Sequence, residues 1–267
     1  MVQVIFEVNW SCPARCVQCT VPKSNRVMAL SHYLYALRLF KEHFDDCNVV
    51  LSGGEPSINP FLAEYVRLAK EHGCRVTIVT NAFNIDRVIE AKPDLIEVSL
   101  DYLGSRHDNA RGIPGLFNNA LKLIGKAWKE GISVVVRSTA MKDNIQDILD
   151  LRDLLNSMGL RDIPILVMPV RGCESLKPDK WQLESLCRDG IMLSDNCPAG
   201  IGSFVVTPDM TVLACIFYRE ILGSLRKFDM HELTEILEKG KRIPTVSYTH
   251  LRAHETSLHL VCRLLLE

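Results

Sequence analysis

Several classes of partner are disfavoured by what the sequence lacks. The 267 residues contain 31 Lys and Arg against 32 Asp and Glu, and no basic run stands out. We therefore expect no nucleic-acid partner and no binding to anionic membranes. No apolar stretch approaches the roughly 20 residues that a membrane span needs, and the first residues lack the basic and apolar regions of a signal peptide. The expectation is a cytoplasmic protein without a membrane partner.

Paired histidines are also missing, although cysteine is abundant. The eight histidines form no H-x-x-H or H-E-x-x-H pair, which disfavours a hydrolytic zinc site. Ten cysteines occur in a chain that shows no export features. This usage indicates a reducing compartment, where thiols bind a metal or remain free.

Residues 246–267, VSYTHLRAHETSLHLVCRLLLE, differ from everything before them. They contain three of the eight histidines and neither Gly nor Pro. Their first half resembles a reading-frame translation of the adapter DNA used in transposon-based sequencing libraries, and HLVCRLLLE fits the far end of that adapter. We therefore interpret the segment as a non-native tail and expect the natural protein to continue past Thr245. The alternative is a genuine C-terminal helix.

Before that tail, strand-like and helix-like segments alternate along the chain. The strand-like segments are rich in Val, Ile and Leu, and amphipathic helical patterns separate them. Six such repeats predict a parallel sheet covered by helices. The pattern leaves two arrangements open, a barrel-like (β/α)6 sheet and an open doubly wound sheet. The predicted strands are residues 3–8, 48–52, 75–81, 95–101, 132–139 and 163–170.

Polar residues gather where these predicted strands end. Cysteines follow the first strand, GGEP follows the second, Asn81 ends the third, and Ser99 and Asp101 end the fourth. Parallel α/β folds place their sites at the carboxyl ends of strands. A second region begins near residue 175, where NCPAGIGSFVVTPDMTVLAC predicts a short β-hairpin.

Three cysteines, Cys12, Cys16 and Cys19, share one predicted loop at the spacing C-x3-C-x2-C. Thiolates favour soft metals, which leaves zinc and an iron–sulfur cluster as alternatives. A closed zinc site would need a fourth ligand, and no histidine lies nearby in the sequence. A cubane cluster held by three cysteines leaves one iron open to a substrate or cofactor. The spacing favours the cluster without deciding between the metals, whereas three unligated core thiols are disfavoured on a polar loop.

The segment LSGGEP, residues 51–56, places paired glycines at a strand end, where a ligand can approach bare backbone. Together with the cysteine motif, it resembles the radical S-adenosylmethionine (SAM) superfamily. The resemblance implies a partial TIM-like (β/α)6 barrel. It also implies that the three cysteines bind a [4Fe-4S] cluster, whose open iron is chelated by the amino and carboxylate groups of SAM. The residues expected to contact the amino group are Gly53, Gly54, Glu55 and Pro56.

Further positions match the family less specifically. VTNA, residues 79–82, resembles the third-strand segment of the family, which assigns Asn81 to the cofactor site. VSLD, residues 98–101, resembles the fourth-strand segment that meets the ribose of SAM, which assigns Ser99 and Asp101 to the ribose. Arg137 could meet the SAM carboxylate through a charge-assisted hydrogen bond, with a surface ion pair as the alternative. The residue before the third cysteine is usually aromatic in the family. Here it is Gln18, whose backbone could still contact adenine.

The later hairpin resembles the SPASM or twitch extension of some family members, which carries auxiliary iron–sulfur clusters. The resemblance assigns Cys197 and Cys215 to a possible auxiliary [4Fe-4S] cluster of the full-length protein. It also implies that the remaining ligands of this cluster would follow Thr245 in the natural sequence. Cys262 belongs to the tail and is not counted. Met210 stands where the family has glycine, so we expect a positive φ there with strain of order 1 kcal/mol.

The resemblance implies an α/β architecture in three parts. We expect a radical SAM core, a truncated SPASM/twitch-like region with a β-hairpin plus helix, and the non-native tail. Their predicted bounds are residues 1–174, 175–245 and 246–267.

The chemistry implied by the resemblance is reductive cleavage of SAM. A low-potential donor of the flavodoxin or ferredoxin type would supply one electron, and the resulting 5′-deoxyadenosyl radical would remove a hydrogen atom from the substrate. A peptide or protein substrate is favoured, and a small molecule such as a tetrapyrrole is the alternative. Two other classes stay open: an iron–sulfur electron carrier, which would want four cysteines per cluster, and a zinc-stabilised binding module without activity.

Overall fold

The computed structural model describes residues 2–194, 198–226 and 230–242. Strands and helices alternate as predicted through the first six strands. The strands are β1 Val2–Asn9, β2 Cys47–Gly53, β3 Arg75–Thr80, β4 Leu95–Ser99, β5 Ser133–Ala140, β6 Ile165–Pro169, β7 Ile191–Leu193, β8 Ser203–Val206, β9 Thr211–Leu213 and β10 Ile221–Ser224. The helices are α1 Leu30–His43, α2 Leu62–Glu71, α3 Ile85–Glu90, α4 Gly104–Arg111, α5 Leu116–Lys129, α6 Ile145–Ser157, α7 Lys180–Ser185 and α8 Met230–Gly240, with 3₁₀ turns at Pro56–Ile58 and Glu174–Leu176.

All ten strands belong to one sheet with the order β10-β9-β8-β1-β2-β3-β4-β5-β6-β7. Strands β1 to β7 are parallel neighbours in chain order. Strand β8 adds to the other side of β1 in parallel, and β9 and β10 continue from it in antiparallel fashion. The predicted α/β class with a mainly parallel sheet is confirmed. Among the described residues the strands form an open sheet that ends at β7 and β10.

The two faces of this sheet differ because successive side chains of a strand point to opposite faces. One face packs on the helices and includes the fully buried side chains of Phe6, Leu51 and Ile78. The opposite face surrounds a cavity, which Ile5 and Val79 line. The strands are therefore apolar on both faces, as expected of parallel strands, and the polar residues at their ends become the distinctive feature.

Helix α5 shows how the sequence covers the first of these faces. Its buried side chains recur at three- and four-residue intervals, which is the stripe of a helix that packs on a sheet. Helix α4 has no such stripe, and its buried residues are His107 and Arg111. It was not predicted, because it offers no apolar periodicity. Within the described ranges, no helix combines the length and the apolar character of a membrane span.

The predicted hairpin is present as β8 and β9, and a helix, α8, follows it after β10. Met210 in the hairpin turn has φ +66°, so the expected positive φ is confirmed. The short elements α7 and β7 were not predicted. Cys197 and residues 246–267 lie outside the described residues, so the auxiliary ligand and the tail stay predictions, as do the three predicted domain bounds.

Candidate active site

The three cysteines lie on the loop between β1 and α1, and backbone hydrogen bonds hold this loop in place. Trp10 N donates to Arg26 O at 2.9 Å, Arg15 N donates to Arg111 O at 2.9 Å, and Cys19 N donates to Cys16 O at 3.2 Å. All three cysteines are free thiols. Cys12 and Cys16 are half-buried, and Cys19 is exposed.

Burial governs the ionisation of the two inner thiols. It raises the pKa of the Cys12 thiol and that of the Cys16 thiol above the ordinary value, because the thiolate loses hydration. A thiol binds metal only as a thiolate, so metal binding at this loop must release protons. The loop is therefore suited to a cationic centre that replaces the lost hydration.

The paired glycines are required by the close approach of the cysteine loop to β2. A Cβ atom on Gly53, which has φ +121°, would lie 2.3 Å from Asn9 O, and one on Gly54 would lie 2.1 Å from Ser11 O. The Gly54 and Glu55 amides donate to these same two oxygens, at 2.7 and 3.0 Å. The glycines are therefore needed for the packing of the cysteine loop, and their contact with a ligand stays a prediction.

Glu55 is fully buried and its carboxylate is occupied by protein donors. It accepts hydrogen bonds from Thr80 Oγ1 at 2.6 Å, from Asn81 N at 2.8 Å and from Ser57 N at 2.9 Å. Burial nevertheless raises the pKa of this carboxyl. Pro56 follows at the start of a 3₁₀ turn and is also buried. Glu55 thus joins the ends of β2 and β3, and its predicted contact with the SAM amino group stays a prediction.

Asn81 connects the end of β3 to the first cysteine. Its Nδ2 lies 3.8 Å from Cys12 Sγ, a distance that fits a hydrogen bond to sulfur. Its Oδ1 accepts from Phe83 N at 3.0 Å, which fixes the orientation of the amide. Two residues predicted from separate strand ends are therefore neighbours.

Asp101 forms a buried polar cluster with Gln18 and Arg111. Its Oδ2 accepts from Arg111 Nη2 at 2.6 Å and from Gln18 Nε2 at 3.1 Å, while its Oδ1 accepts from Thr139 N at 2.8 Å. The side chains of Asp101 and Arg111 are 3% and 9% exposed, so this is a buried ion pair. Asp101 is therefore tied to the cysteine loop through Gln18, and its carboxylate already has three protein partners.

Ser99 and Arg137 face the same cavity, which has a volume of about 150 Å³ and also includes Asp101. Arg137 Nη1 donates to Glu97 Oε2 at 2.6 Å, and its Nη2 lies 2.9 Å from Met168 Sδ. The structure thus brings Ser99, Asp101 and Arg137 together. The Arg137 and Glu97 side chains are 27% and 12% exposed, so this ion pair lies at the cavity and is not the surface pair that was predicted. A contact between Arg137 and the SAM carboxylate stays a prediction.

The residues around this loop fit a cluster with an amine-bearing cofactor beside it. Among residues 2–194, 198–226 and 230–242, no three His, Cys, Asp or Glu side chains are grouped to hold a single metal ion. Three free thiols on one loop are a soft donor set, which suits an iron–sulfur cluster. Beside the loop, the buried Asn9 Oδ1 has no hydrogen-bond partner in the described part of the chain. An amide oxygen in that position is an acceptor for an ammonium group.

Cys215 lies on the loop after β9, and this loop covers the cysteine loop. Thr20 Oγ1 donates to Ile216 O at 3.0 Å, and Phe217 N lies 3.3 Å from Cys215 Sγ. Arg219 makes a bidentate ion pair with the buried Glu7, at 2.7 and 3.0 Å. The C-terminal segment is therefore fixed against β1 next to the candidate site.

Sequence reasoning missed Asn9, Thr80, Arg111 and Asn144. Asn9 ends β1 and donates to Ser11 O at 2.8 Å and Glu55 O at 3.2 Å. The strand-end rule that identified Asn81 could have found Asn9. Asn144 donates to Asp101 O and Thr139 O, both at 2.8 Å, and Arg111 lies on the unpredicted helix α4, so neither gave a comparable signal.

The arrangement is that of a parallel α/β enzyme whose active site lies at the carboxyl ends of its strands. Residues 11–155 match the family described as "Radical SAM superfamily", more than half of the chain, and the chain belongs to this superfamily. Radical SAM proteins are enzymes that use a [4Fe-4S] cluster and SAM. The predicted family, enzyme class and cofactors are therefore confirmed.

The curated relatives are named as synthases and as a peptide cyclase. The chain is 36% identical over 140 residues to the Fe-coproporphyrin III synthase of Methanosarcina barkeri, covering 49% of this chain and 35% of that protein. It is 23% identical over 292 aligned positions to the AdoMet-dependent heme synthase of the same organism, covering 90% and 84%. It is 25% identical over 203 residues to the PqqA peptide cyclase of Methylorubrum populi, covering 70% and 52%. The chain thus spans about a third of the first of these proteins.

Solved structures share the fold. A structure described as native anSMEcpe with bound AdoMet and Cp18Cys peptide superposes with a TM-score of 0.70 at 15% identity, covering 95% of this chain and 84% of that one. Streptococcus suis SuiB bound to precursor peptide SuiA superposes with a TM-score of 0.67 at 15% identity, covering 81% and 60%. At these identities the likeness confirms the fold alone.

Proposed function

We propose that the chain cleaves SAM reductively at a [4Fe-4S] cluster and directs the resulting radical to a substrate. The observation that carries the proposal is a set of three hydrogen bonds between the start of the cysteine loop and the GGEP segment. Gly54 N donates to Asn9 O, Glu55 N donates to Ser11 O, and Asn9 Nδ2 donates to Glu55 O. These bonds bring together, at one end of the sheet, the three thiols, the cavity side chains and the Asn9 Oδ1, which has no hydrogen-bond partner among the residues that the structure describes.

The residues have separate tasks in this proposal. Cys12, Cys16 and Cys19 would hold the cluster, and Asn9 would accept the SAM ammonium group. When bound, the cluster supplies one electron and SAM supplies the 5′-deoxyadenosyl radical. Ser99 lies at the cavity wall, where the ribose is expected from the family pattern.

The remaining polar residues position this machinery and restrict water. Glu55 holds the ends of β2 and β3 together, and Asp101 with Arg111 fixes Gln18 behind the third cysteine. Ile216 and Phe217 line the cavity from the segment after β9. Apolar side chains at this position would restrict the access of water to a reactive radical.

Loss of one cysteine tests the assignment. Anaerobically reconstituted, dithionite-reduced protein should release 5′-deoxyadenosine from SAM, and Cys16→Ala should abolish both this release and stoichiometric iron and sulfide. Cys47→Ala is the matched control, because Cys47 is buried at the opposite end of β2. SAM cleavage by Cys16→Ala would refute the ligand assignment, and stoichiometric zinc in place of iron would support the binding module.

For the substrate we propose a tetrapyrrole with carboxylate side chains as the first candidate. The relatives named as Fe-coproporphyrin III synthase and heme synthase support it. A second cavity, of about 90 Å³ beside Cys215, is lined by Arg137 and Arg171, and guanidinium groups suit carboxylates. A shift of the Soret band on titration with Fe-coproporphyrin III, and its conversion in the presence of SAM, would test this candidate.

A peptide or protein is the second candidate, and it is the one favoured by the sequence alone. The likeness to PqqA peptide cyclase and to SuiB bound to its precursor peptide supports it. A small peptide gene beside this one in the genome would supply the substrate to test. Mass loss from that peptide, without conversion of the tetrapyrrole, would favour this candidate over the first.

A further inference from the structure

Two cysteines that the candidate site does not use are neighbours at the opposite end of the sheet. Cys47 is the first residue of β2, and Cys74 immediately precedes β3. Asn48 lies opposite Arg75 in the parallel register of these two strands. The register therefore places Cys47 and Cys74, one residue earlier on each strand, opposite each other.

The side chains of Cys47 and Cys74 point to the same face of the sheet. Both belong to the core between the sheet and the helices, where they are 3% and 5% exposed, and both are free thiols. Neighbouring strands lie about 4.8 Å apart, which is within the range of about 4.4–6.8 Å between the Cα atoms of a disulfide. The strand spacing therefore permits a bridge between these two residues.

Cys74 lies close beneath the protein surface. Its neighbours in the chain, Gly73 and Arg75, are exposed. Its Sγ lies 4.0 Å from His72 O, and His72 is itself only half-buried. A small uncharged molecule therefore has a short path to this thiol.

The two thiols differ in how readily they ionise. They are hydrogen-bonded to each other, and the bond from Cys47 lowers the pKa of the Cys74 thiol; burial opposes this effect, and the charge of Lys41 supports it. The same hydrogen bond, together with burial, raises the pKa of the Cys47 thiol. Tyr33 is a further titratable neighbour of both thiols, and Asp46 is one of Cys47. Cys74 is therefore the thiol that ionises first.

We propose that Cys74 and Cys47 form a peroxide-reactive dithiol site, in which Cys74 attacks the oxidant and Cys47 resolves the product as a disulfide. A thiolate is the nucleophile in thiol oxidation, and a second thiol in contact with it captures the sulfenic acid before oxidation goes further. The site lies at the amino ends of β2 and β3, whereas Glu55 joins the carboxyl ends of these strands beside the cysteine loop. The reaction is therefore separate from the proposed SAM chemistry and does not depend on it.

The reaction has two steps and consumes one hydrogen peroxide. In the first step the Cys74 thiolate attacks one peroxide oxygen, the O–O bond breaks, and the leaving hydroxide takes up the proton that Cys74 released. This step gives water and a sulfenic acid on Cys74. In the second step the Cys47 sulfur attacks the Cys74 sulfur, the S–O bond breaks, and a second water leaves with the Cys47 proton. The two thiols lose two electrons, and the peroxide gains them.

Peptide mapping of the wild-type protein tests the bridge directly. The full chain, reduced and held under argon with an iron chelator, is treated briefly with hydrogen peroxide. Catalase removes the excess, and N-ethylmaleimide in urea blocks the remaining thiols. Trypsin then releases Cys47 on residues 42–67 and Cys74 on residues 71–75, with no other cysteine on either peptide. Mass spectrometry without reduction should find these two peptides joined, and dithiothreitol should separate them.

Cys187 is the internal control, because it is exposed and lies on a separate tryptic peptide, residues 181–188. If exposure alone determined oxidation, Cys187 would be oxidised before the buried pair. We expect the link between Cys47 and Cys74 to form on the order of tenfold faster than Cys187 is oxidised, because the thiolate fraction changes about tenfold for each unit of thiol pKa.

Two serine variants separate the roles of the two thiols. Cys47→Ser keeps a hydroxyl that can donate to Cys74 but cannot form a disulfide, so Cys74 should persist as a sulfenic acid and dimedone should label residues 71–75. Cys74→Ser removes the attacking thiolate, so residues 42–67 should stay free of dimedone and be fully blocked by maleimide. Near-UV circular dichroism compares the fold of each variant with that of the wild type.

Failure of the link would refute the site. Absence of the joined peptides from wild-type protein, at peroxide concentrations that oxidise Cys187, would leave two thiols that only pack in the core. Equal amounts of links from Cys47 or Cys74 to other cysteines would also overturn the proposal. Dimedone on Cys47 in Cys74→Ser, without dimedone on Cys74 in Cys47→Ser, would overturn the assigned roles. The wild-type measurement needs no substitution, so it decides the question even where a variant does not fold.

Discussion

At the scale of single residues, two acidic side chains beside the cysteine loop are buried, and each has a specific basic partner. Asp101 pairs with Arg111, and Glu7 pairs with Arg219. Burying either partner alone would be costly, since loss of one member of a buried pair typically destabilises a protein by about 3–5 kcal/mol. These pairs therefore specify where the loop lies, and their net contribution to stability is of less consequence than the geometry they impose.

Gly54 is the residue whose replacement should have the most local effect. Alanine at this position would place its Cβ 2.1 Å from Ser11 O. The backbone fixes the positions of both atoms, so no side-chain rotation can relieve the clash. Gly54→Ala should lower the free energy of unfolding by about 3 kcal/mol and reduce the iron bound after reconstitution. Urea denaturation and iron analysis would measure the two effects.

The matched control for this substitution is Gly125→Ala in α5, where a Cβ would meet nothing within 4 Å. Alanine in an open helical position should raise the free energy of unfolding by about 0.5–1 kcal/mol. Equal behaviour of the two variants would show that the close approach of the cysteine loop to β2 does not exist in solution.

His107 should make stability depend on pH in a defined window. Burial lowers its pKa to about 4, and its Nδ1 accepts from Asp101 N at 3.3 Å, which requires the neutral ring. The unfolded chain takes up the proton near the ordinary value of about 6.5. Stability from this group is therefore complete above about pH 6.5 and declines as the pH falls towards 4, by up to about 3 kcal/mol.

Urea unfolding of the wild type and of His107→Gln at several pH values between 7.5 and 4.5 would isolate this contribution. The difference between the two proteins should change across the window, because all other titrating groups are shared. A difference between wild type and His107→Gln that stays constant with pH would contradict the buried neutral imidazole of His107.

At the scale of elements, periodicity predicted the strands and long helices, and its failures have a physical cause. Strands β1 to β6 carry strong apolar patterns, and the predicted bounds lie within two residues of those in the structure. Helices α1, α2, α5 and α6 lie in the amphipathic segments between them. Helix α4 buries His107 and Arg111 instead of an apolar stripe, and a periodicity rule cannot detect it. The short strands β7 and β10 have too few residues to show any pattern.

The sequence likewise predicted some residues of the candidate site and missed the contacts between them. Cysteine spacing, the paired glycines and the strand-end rule led to Cys12, Gly53 and Asn81 without the fold. The sequence could not reveal that Asp101 pairs with Arg111, or that Gly53 and Gly54 face main-chain oxygens. Those contacts depend on how the loop after β1 lies over the end of β2, which no local pattern encodes.

The β8–β9 turn gives a prediction in which two effects oppose each other. Met210 has φ +66° yet is 1% exposed and belongs to the core. Met210→Gly removes strain of about 1 kcal/mol but also removes a buried side chain that contributes about 2–5 kcal/mol. The burial term is larger, so we expect a net loss of stability on denaturation.

Substitution of Lys92 tests the effect of backbone strain apart from that of side-chain burial, since Lys92 has φ +52° and an exposed side chain. Lys92→Gly relieves strain without loss of burial and should raise the free energy of unfolding by up to about 1 kcal/mol. Stabilisation by both substitutions would mean that the Met210 side chain does not pack into the core.

At the scale of the whole molecule, the position of β1 decides how the parts of the chain depend on each other. β1 lies between β2 and β8, so the first strand of the sequence pairs with the core on one side and with the C-terminal hairpin on the other. The hairpin therefore extends the main sheet. The Glu7–Arg219 pair adds a side-chain link across the same junction.

This arrangement predicts that the hairpin and the core unfold together. Arg219→Ala leaves the buried Glu7 without its bidentate partner and should lower the free energy of unfolding by about 3–5 kcal/mol. Hydrogen exchange measured under mild denaturant should then accelerate in β1 and β8 alike, because their amides share one set of hydrogen bonds. Arg226→Ala is the matched control, since its ion pair with Asp209 is largely exposed and contributes about 1 kcal/mol or less. Faster exchange in β8 with β1 still protected would instead show that the hairpin forms an independent unit, with a boundary near the predicted residue 175.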